Sequence, residues 1–383
     1  MMITSTMSRT EAIRKARRVV VKVGSNILTG PSGLNIEVVR SISAQLCWLC
    51  DQEIQVVLVT SGAVSAGMRK IGLTKKPSSI PERQAAAAAG QAVLMMEYEH
   101  AFDLHGKKVA QILLTAEDMN SRKRYLNARN TIHTLLDWKI VPVINENDTV
   151  SIDEIKLGDN DNLSALVAMM VDADLLINLT DIDGLYDKDP RTNHDAVLLS
   201  EVNKMTSELE DMASGAGSSI GTGGMLTKIK AARKATGSGI PMLIAKGSQS
   251  GILRDIFNGV NCGTYFRPSE LKPSAKKSWI AFTVKPKGTI VLDDGAVKAV
   301  MVNGKSLLPS GIVEVINDFG VGAPVEIIDR SGNVLGTGLV NYSSSNIRCI
   351  MGLKSTAIED VLGEKPYDEV IHRDNMSISG TDY

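Results

Sequence analysis

No run of apolar residues in this sequence is long enough to cross a bilayer, which argues against a helical membrane protein. Neither sign of charge dominates: 42 Lys and Arg stand against 43 Asp and Glu, a net of −1. Bulk attraction to nucleic acid or to an acidic membrane is therefore not built into the composition. Residues 1–18 carry Arg9, Arg14, Lys15, Arg17 and Arg18 but no apolar core, which argues against a secretory signal. Glu11 to Arg18 runs into a strand without a cleavage-like spacer and reads as a first surface helix. Cysteine is scarce, only Cys47, Cys50, Cys262 and Cys349. Cys47-Trp48-Leu49-Cys50 has the spacing of a redox pair. It sits inside the helical pattern 38–49, with no turn or proline to raise it at a helix N-terminus. Two buried thiols in a reducing, cytoplasmic setting are expected instead. The five histidines are scattered, and no His/Cys cluster has zinc spacing. A Gly-x-x-x-x-Gly-Lys-Ser/Thr loop is missing, so a P-loop nucleotide site is excluded. Ser61 has no adjacent histidine to activate it, which leaves hydrolase chemistry poorly supported.

What is present is a chain of 383 residues with 43% hydrophobic and 22% charged residues, enough for two domains with full cores. Apolar β-branched runs alternate with helical patterns. Strands are expected at Arg18–Val23, Ile54–Val59, Val109–Leu114, Ile140–Ile144, Ala173–Leu179 and Met242–Ala245. Helices are expected at 36–50, 83–102 and 225–236, and Glu117–Arg129 resembles a mobile loop or lid leading into a helix. This alternation implies an α/β fold, a mainly parallel sheet sandwiched by helices. Pro268 to Ser278 reads as a linker, which divides the chain into residues 1–267, a linker 268–278 and a domain 279–383. The last part has short β runs at Thr289–Leu292, Ile312–Val315, Val325–Ile328, Leu335–Leu339 and Ile347–Ile350, as in a small β-barrel-like domain.

The polar clusters lie where such a sheet places ligands, at the carboxyl ends of its strands. Lys22 interrupts an apolar run, and a lysine there belongs on an edge strand or against an anion; taken alone, the edge is favoured. Thr60 to Gly67 are small residues that let backbone amides approach a ligand. Asn145-Glu146-Asn147-Asp148 follows one strand directly, and Thr180-Asp181 follows another. The stretch 158–165 gathers Asp159, Asn160, Asp161 and Asn162 at the start of a helix, more polar groups than capping requires. Five glycines at 214–224 precede Lys228 and a helix, the physical logic of a phosphate cradle.

Val-Lys22-Val-Gly-Ser, Val-Thr-Ser61-Gly-Ala, Asn-Glu-Asn-Asp148, Gly-Asp-Asn160-Asp161-Asn-Leu-Ser-Ala, Leu-Thr180-Asp181-x-Asp-Gly-Leu-Tyr and Gly-Thr222-Gly-Gly-Met-x-Thr-Lys228 occur in order. Together they resemble the amino acid kinase family, specifically its glutamate-phosphorylating branch, and the β-rich tail resembles a PUA domain. The likeness spans almost the whole chain, with small departures at Ser25-Asn26 and Leu226 and a somewhat long N-terminus. It implies transfer of the ATP γ-phosphoryl group to the γ-carboxylate of L-glutamate, the first step of proline biosynthesis. It implies Lys22, Lys228 and Asp161 as catalytic residues, and Ser61, Asp148 and Asn160 as substrate-binding ones. Lys22, Thr180, Asp181, Thr222, Gly223, Gly224, Met225, Leu226, Thr227 and Lys228 would hold the nucleotide. Mg²⁺ would bridge its phosphates, with no metal ligand of the protein's own. Further implications are a homo-oligomer, feedback inhibition by proline, and a functional link to a glutamate-semialdehyde dehydrogenase.

Two rivals remain at this stage. Another family member could act on N-acetylglutamate, aspartate, carbamate or UMP. Asp148 speaks against the first, because an acetylated substrate lacks the α-ammonium that a carboxylate there would pair with. Alternatively, the tail could bind RNA as PUA domains do. Residues 281–383 hold 9 Lys/Arg against 13 Asp/Glu, a net of −4, where an RNA site normally carries a basic stripe.

Overall fold

Val19 through Val23 are all buried in β1 (Arg18–Val23), as a strand covered on both faces requires. The computed structural model describes residues 8–30, 33–151, 160–206, 208–210, 212, 224–269 and 274–378. The chain divides into two compact units, residues 1–269 and 270–383.

In the first unit β2 (Thr29–Gly30) and β3 (Gly33–Leu34) form a short antiparallel pair. The main sheet comprises β1, β4 (Gln55–Val59), β5 (Lys108–Leu114), β6 (Ile140–Glu146), β7 (Leu175–Thr180), β8 (Glu201–Val202), β9 (Met242–Lys246) and β10 (Thr264–Phe266). Its order is β5-β6-β4-β1-β7-β9-β10-β8. Neighbours from β5 to β9 run parallel, and β10 turns antiparallel to β9. β1 therefore lies mid-sheet between β4 and β7, which overturns the edge position that Lys22 alone suggested. Alternation sends Val19, Val21 and Val23 into a core with Ile42, Leu46, Leu94, Tyr98 and Phe102 of helices Ile36–Asp51 and Ile80–Asp103. Lys22 points to the other face, where helices Asn160–Met170 and Met225–Gly237 lie.

Two segments of this unit differ from expectation. Glu117–Arg129 is no loop but parts of two helices, Ala116–Asn120 and Arg122–Asp137. Thr115 and Asp118 cap the first reciprocally, and buried Met119 and Tyr125 anchor the pair. The small residues after β4 enter a helix, Ala63–Lys70, through Gly62, whose φ of 98° suits glycine. Cys47 and Cys50 lie on helix Ile36–Asp51, and burial pushes their thiols up to about 12 and about 11. Iodoacetamide at neutral pH is thus expected to label exposed Cys349 and spare this pair. Rapid labelling of Cys47 or Cys50 in the folded protein, read by peptide mass spectrometry, would contradict this.

The second unit is built on a sheet of β11 (Gly288–Leu292), β12 (Ile312–Ile316), β13 (Pro324–Ile328), β14 (Val334–Leu339) and β15 (Met376–Ile378). Its order is β12-β11-β13-β14-β15, antiparallel except for β11 with β13. Ser274 caps a helix, Ala275–Phe282, that packs on β14 and β15. Ile347–Ile350, expected as a strand, belongs to helix Ser344–Ile350. Ser343 caps the amide of Asn346, and buried Ile347 and Ile350 sit three apart on one helical face.

Candidate active site

Asp161 is the fixed point of the site. It lies in the first turn of helix Asn160–Met170 and has no exposed surface. Oδ1 accepts from Lys22 Nζ and, at 2.7 Å, from Asn178 Nδ2. Oδ2 accepts from Thr227 Oγ1 at 2.8 Å and Lys228 Nζ at 3.1 Å. Lys22 and Lys228 are only 4% and 5% exposed, so three charges are held almost dry. Burial works to raise the Asp161 carboxyl, but Lys22 and Lys228 outweigh it and hold the group down at about 2. The ammonium groups come from opposite sources: the carboxyl end of β1 and the first turn of helix Met225–Gly237. Gly224 precedes that helix and gives it no side-chain cap.

A second group of side chains lies beside the first. Asn160 Nδ2 donates to Thr60 O at 2.7 Å, to Ser61 Oγ at 2.8 Å and to Asn145 Oδ1 at 3.0 Å. Its Oδ1 is buried and has no hydrogen-bond partner among the described residues. Asn145 is held in turn by Gln91, whose Oε1 accepts at 2.9 Å. Gln91 belongs to helix Ile80–Asp103, which crosses helix Ala63–Lys70 where Gly67 meets Gly90. A Cβ on Gly67 would lie 1.7 Å from Ala86 O, and one on Gly90 1.8 Å from Ala63 O. Asp148 is half-buried in the turn that follows β6.

A third group gathers at the carboxyl end of β7. Thr180 ends β7, and its hydroxyl donates to Asp181 Oδ1 at 3.0 Å. Asn26 Nδ2 donates to Asp181 Oδ2 at 3.0 Å, so the departure noted at Ser25-Asn26 supplies an extra tether. Burial opposes ionisation of Asp181, yet the bonds from Asn26 and Thr180 keep its carboxyl below the ordinary value. Lys22, Ser61, Asn160, Asp161, Thr180, Asp181, Thr227 and Lys228 thus all sit at the carboxyl ends of strands β1, β4 and β7 or on the two helix starts beside them. Gly224, Met225 and Leu226 open the second helix. Thr222 and Gly223, like Gly158 and Asp159 of the polar stretch, lie outside the described residues. Sequence reasoning missed Asn178, Gln91 and Asn26. Asn178 left a signal, a lone carboxamide in the apolar run Leu175–Leu179, of the kind that singled out Lys22.

An eight-stranded sheet thus brings two lysines onto one buried carboxylate beside two helix starts. Residues 17–246 match the amino acid kinase family and residues 288–362 the PUA domain. The chain belongs to the amino acid kinase family. It is 50% identical over 371 residues to the glutamate 5-kinase of Syntrophus aciditrophicus, covering 97% of this chain and 96% of that one. The glutamate 5-kinase of Thermoanaerobacter sp. strain X514 is 50% identical over 362 residues, covering 94% and 97%. That of Geobacter sulfurreducens is 49% identical over 371 residues, covering 97% and 100%.

Proposed function

We propose that the chain is a glutamate 5-kinase, transferring the γ-phosphoryl group of Mg·ATP to the γ-carboxylate of L-glutamate to give L-glutamyl 5-phosphate. The observation that carries this reading is Asp161 gripping Lys22 and Lys228 at the strand ends, in a chain whose relatives bear that name over nearly their full length. A carboxylate acceptor with a pKa of about 4.3 is already ionised at neutral pH, so no general base is needed. The demand is for cancellation of negative charge on acceptor, donor and transferring group. Lys22 and Lys228 supply it from two directions, and Asp161 fixes both ammonium groups.

Glutamate would lie against Ser61, Asp148 and Asn160, with the α-ammonium paired to Asp148. The Oδ1 of Asn160, without a partner among the described residues, supports this, because a buried acceptor at that place suits a substrate N–H donor. The nucleotide would rest on Thr180, Asp181 and residues 222–228. Magnesium would be brought by the nucleotide and would offset the negative charge of its phosphates. Among the described residues no group of three His, Cys, Asp or Glu could hold a metal, and Asp161 is taken up by lysines.

The reading extends to the cytoplasmic first step of proline biosynthesis in a homo-oligomer. Proline would inhibit by competing for the glutamate pocket and the region 117–148. The labile acyl phosphate would pass to a glutamate-semialdehyde dehydrogenase. The test is ADP release from Mg·ATP with L-glutamate, N-acetylglutamate or L-aspartate, with hydroxylamine trapping the acyl phosphate. Turnover with L-glutamate alone, and proline inhibition relieved by saturating glutamate, are the expected results. Turnover with the acetylated substrate would overturn the role of Asp148, and silence with all three would overturn the kinase reading.

A further inference from the structure

Helix Ile80–Asp103 carries Gln84, Gln91 and Tyr98 at positions that recur on one helical face. Each bonds a segment that carries part of the site. Gln84 Nε2 donates to Ser151 O at 3.1 Å, and Tyr98 OH shares a hydrogen bond with Thr60 Oγ1 at 2.8 Å. Between them, Gln91 Oε1 accepts from Asn145 Nδ2 at 2.9 Å. The backbone fixes which way these amides face. The Glu146 amide can only donate, and it does so to Asn145 Oδ1 at 2.9 Å, so Nδ2 is the end that meets Gln91. Thr60 O can only accept, which turns Asn160 Nδ2 toward it and toward Asn145 Oδ1. Asn145 is buried, and among the described residues Gln91 is the acceptor for its Nδ2. Loss of that acceptor leaves a buried donor unpaired.

We propose that Gln91 is a positioning residue that sets affinity for the amino acid acceptor: it orients Asn145, and Asn145 together with Thr60 orients Asn160. The effect belongs to acceptor binding rather than to transfer. Among the described residues Gln91 makes no hydrogen bond to Lys22, Asp161 or Lys228, whose ion pairs form a separate group. This inference rests on the kinase reading, with Asn160 as a glutamate contact, and adds a residue that no motif of the family resemblance contains.

Gln91→Leu, Asn145→Ala and the double variant, each in the full chain, test it beside wild type with L-glutamate, Mg·ATP and hydroxylamine. Gln91→Leu is expected to raise the KM for glutamate about 3–10-fold, the worth of one neutral hydrogen bond, with kcat and the KM for ATP changed less than about twofold. In the Asn145→Ala background the same substitution should shift that KM less than about 1.5-fold, because the bond through which Gln91 acts is already gone. Gln91→Met, unbranched and of similar length, carries the same expectation and guards against a leucine variant that folds poorly. A merely structural glutamine would lower melting temperature and active fraction, which scales kcat and leaves KM in place. A KM rise below about threefold in both Gln91 variants, a kcat loss larger than the KM rise, or effects of Gln91→Leu and Asn145→Ala that multiply, overturns the inference and leaves the kinase reading standing. A wild type silent with glutamate overturns both.

Discussion

Asp161→Ala is expected to weaken the fold by about 3–5 kcal/mol and to abolish most turnover, because it strands two buried ammonium groups. The stability loss is read from denaturant midpoints at neutral pH. Asp161→Asn, which keeps the shape, separates charge from packing. The wild-type carboxyl is held at about 2, below the ordinary value of about 3.9, so its folded pKa is depressed. Such a group contributes stability that is fully present above the ordinary value and lost as pH falls through the folded one. The advantage of wild type over Asp161→Asn, about 2–3 kcal/mol by linkage, should persist down to about pH 4 and fade toward pH 2. An Asp161→Ala protein of wild-type stability would show that the lysines are solvated when the carboxylate is gone. A variant with poor glutamate binding but intact turnover would remove Asp161 from the transfer step.

Lys228→Ala should act on turnover more than on stability. Lys228 sits in the first turn of helix Met225–Gly237, where the helix start already favours an anion. Removing a charge aimed at developing negative charge lowers kcat by about 10²–10³-fold in comparable sites. The KM for glutamate should move little, since the contacts proposed for the acceptor are Ser61, Asp148 and Asn160. Lys228→Arg should not restore the rate, because a planar guanidinium does not replace a compact ammonium beside Asp161. Steady-state kinetics decide the matter: a raised KM with unchanged kcat would assign Lys228 to ground-state binding.

Much of this architecture is legible in the chain because its main strands are covered on both faces. β1 and β7 announce themselves as apolar runs broken by Lys22 and Asn178, and the polar clusters stand directly at strand ends. Elements held by short or local signals are harder to read. β8 and β10 span two and three residues, too few for any period to show. Helix Ala63–Lys70 hides in a Gly/Ala/Ser stretch, and helix Ser344–Ile350 in apolar residues that fit a strand as well. For the site, Lys22, Asp161 and Lys228 are visible through their motifs. The bond from Asn178 to Asp161 depends on the register of two strands far apart in sequence, which no local pattern carries. Asn26 and Gln91 likewise gain their roles only once β7 and β6 are set beside them.

Gly67 and Gly90 set a dimension rather than a contact. Where two helices touch backbone to backbone, their separation is fixed by atoms that no substitution can shrink and any side chain must enlarge. Helix Ala63–Lys70 follows Ser61 directly, while the other helix carries Gln91, which holds Asn145 and through it Asn160. The width of the proposed glutamate end is thus gauged by the main chain itself. Repacking side chains elsewhere in the core can change how firmly that gauge is held, but not what it measures.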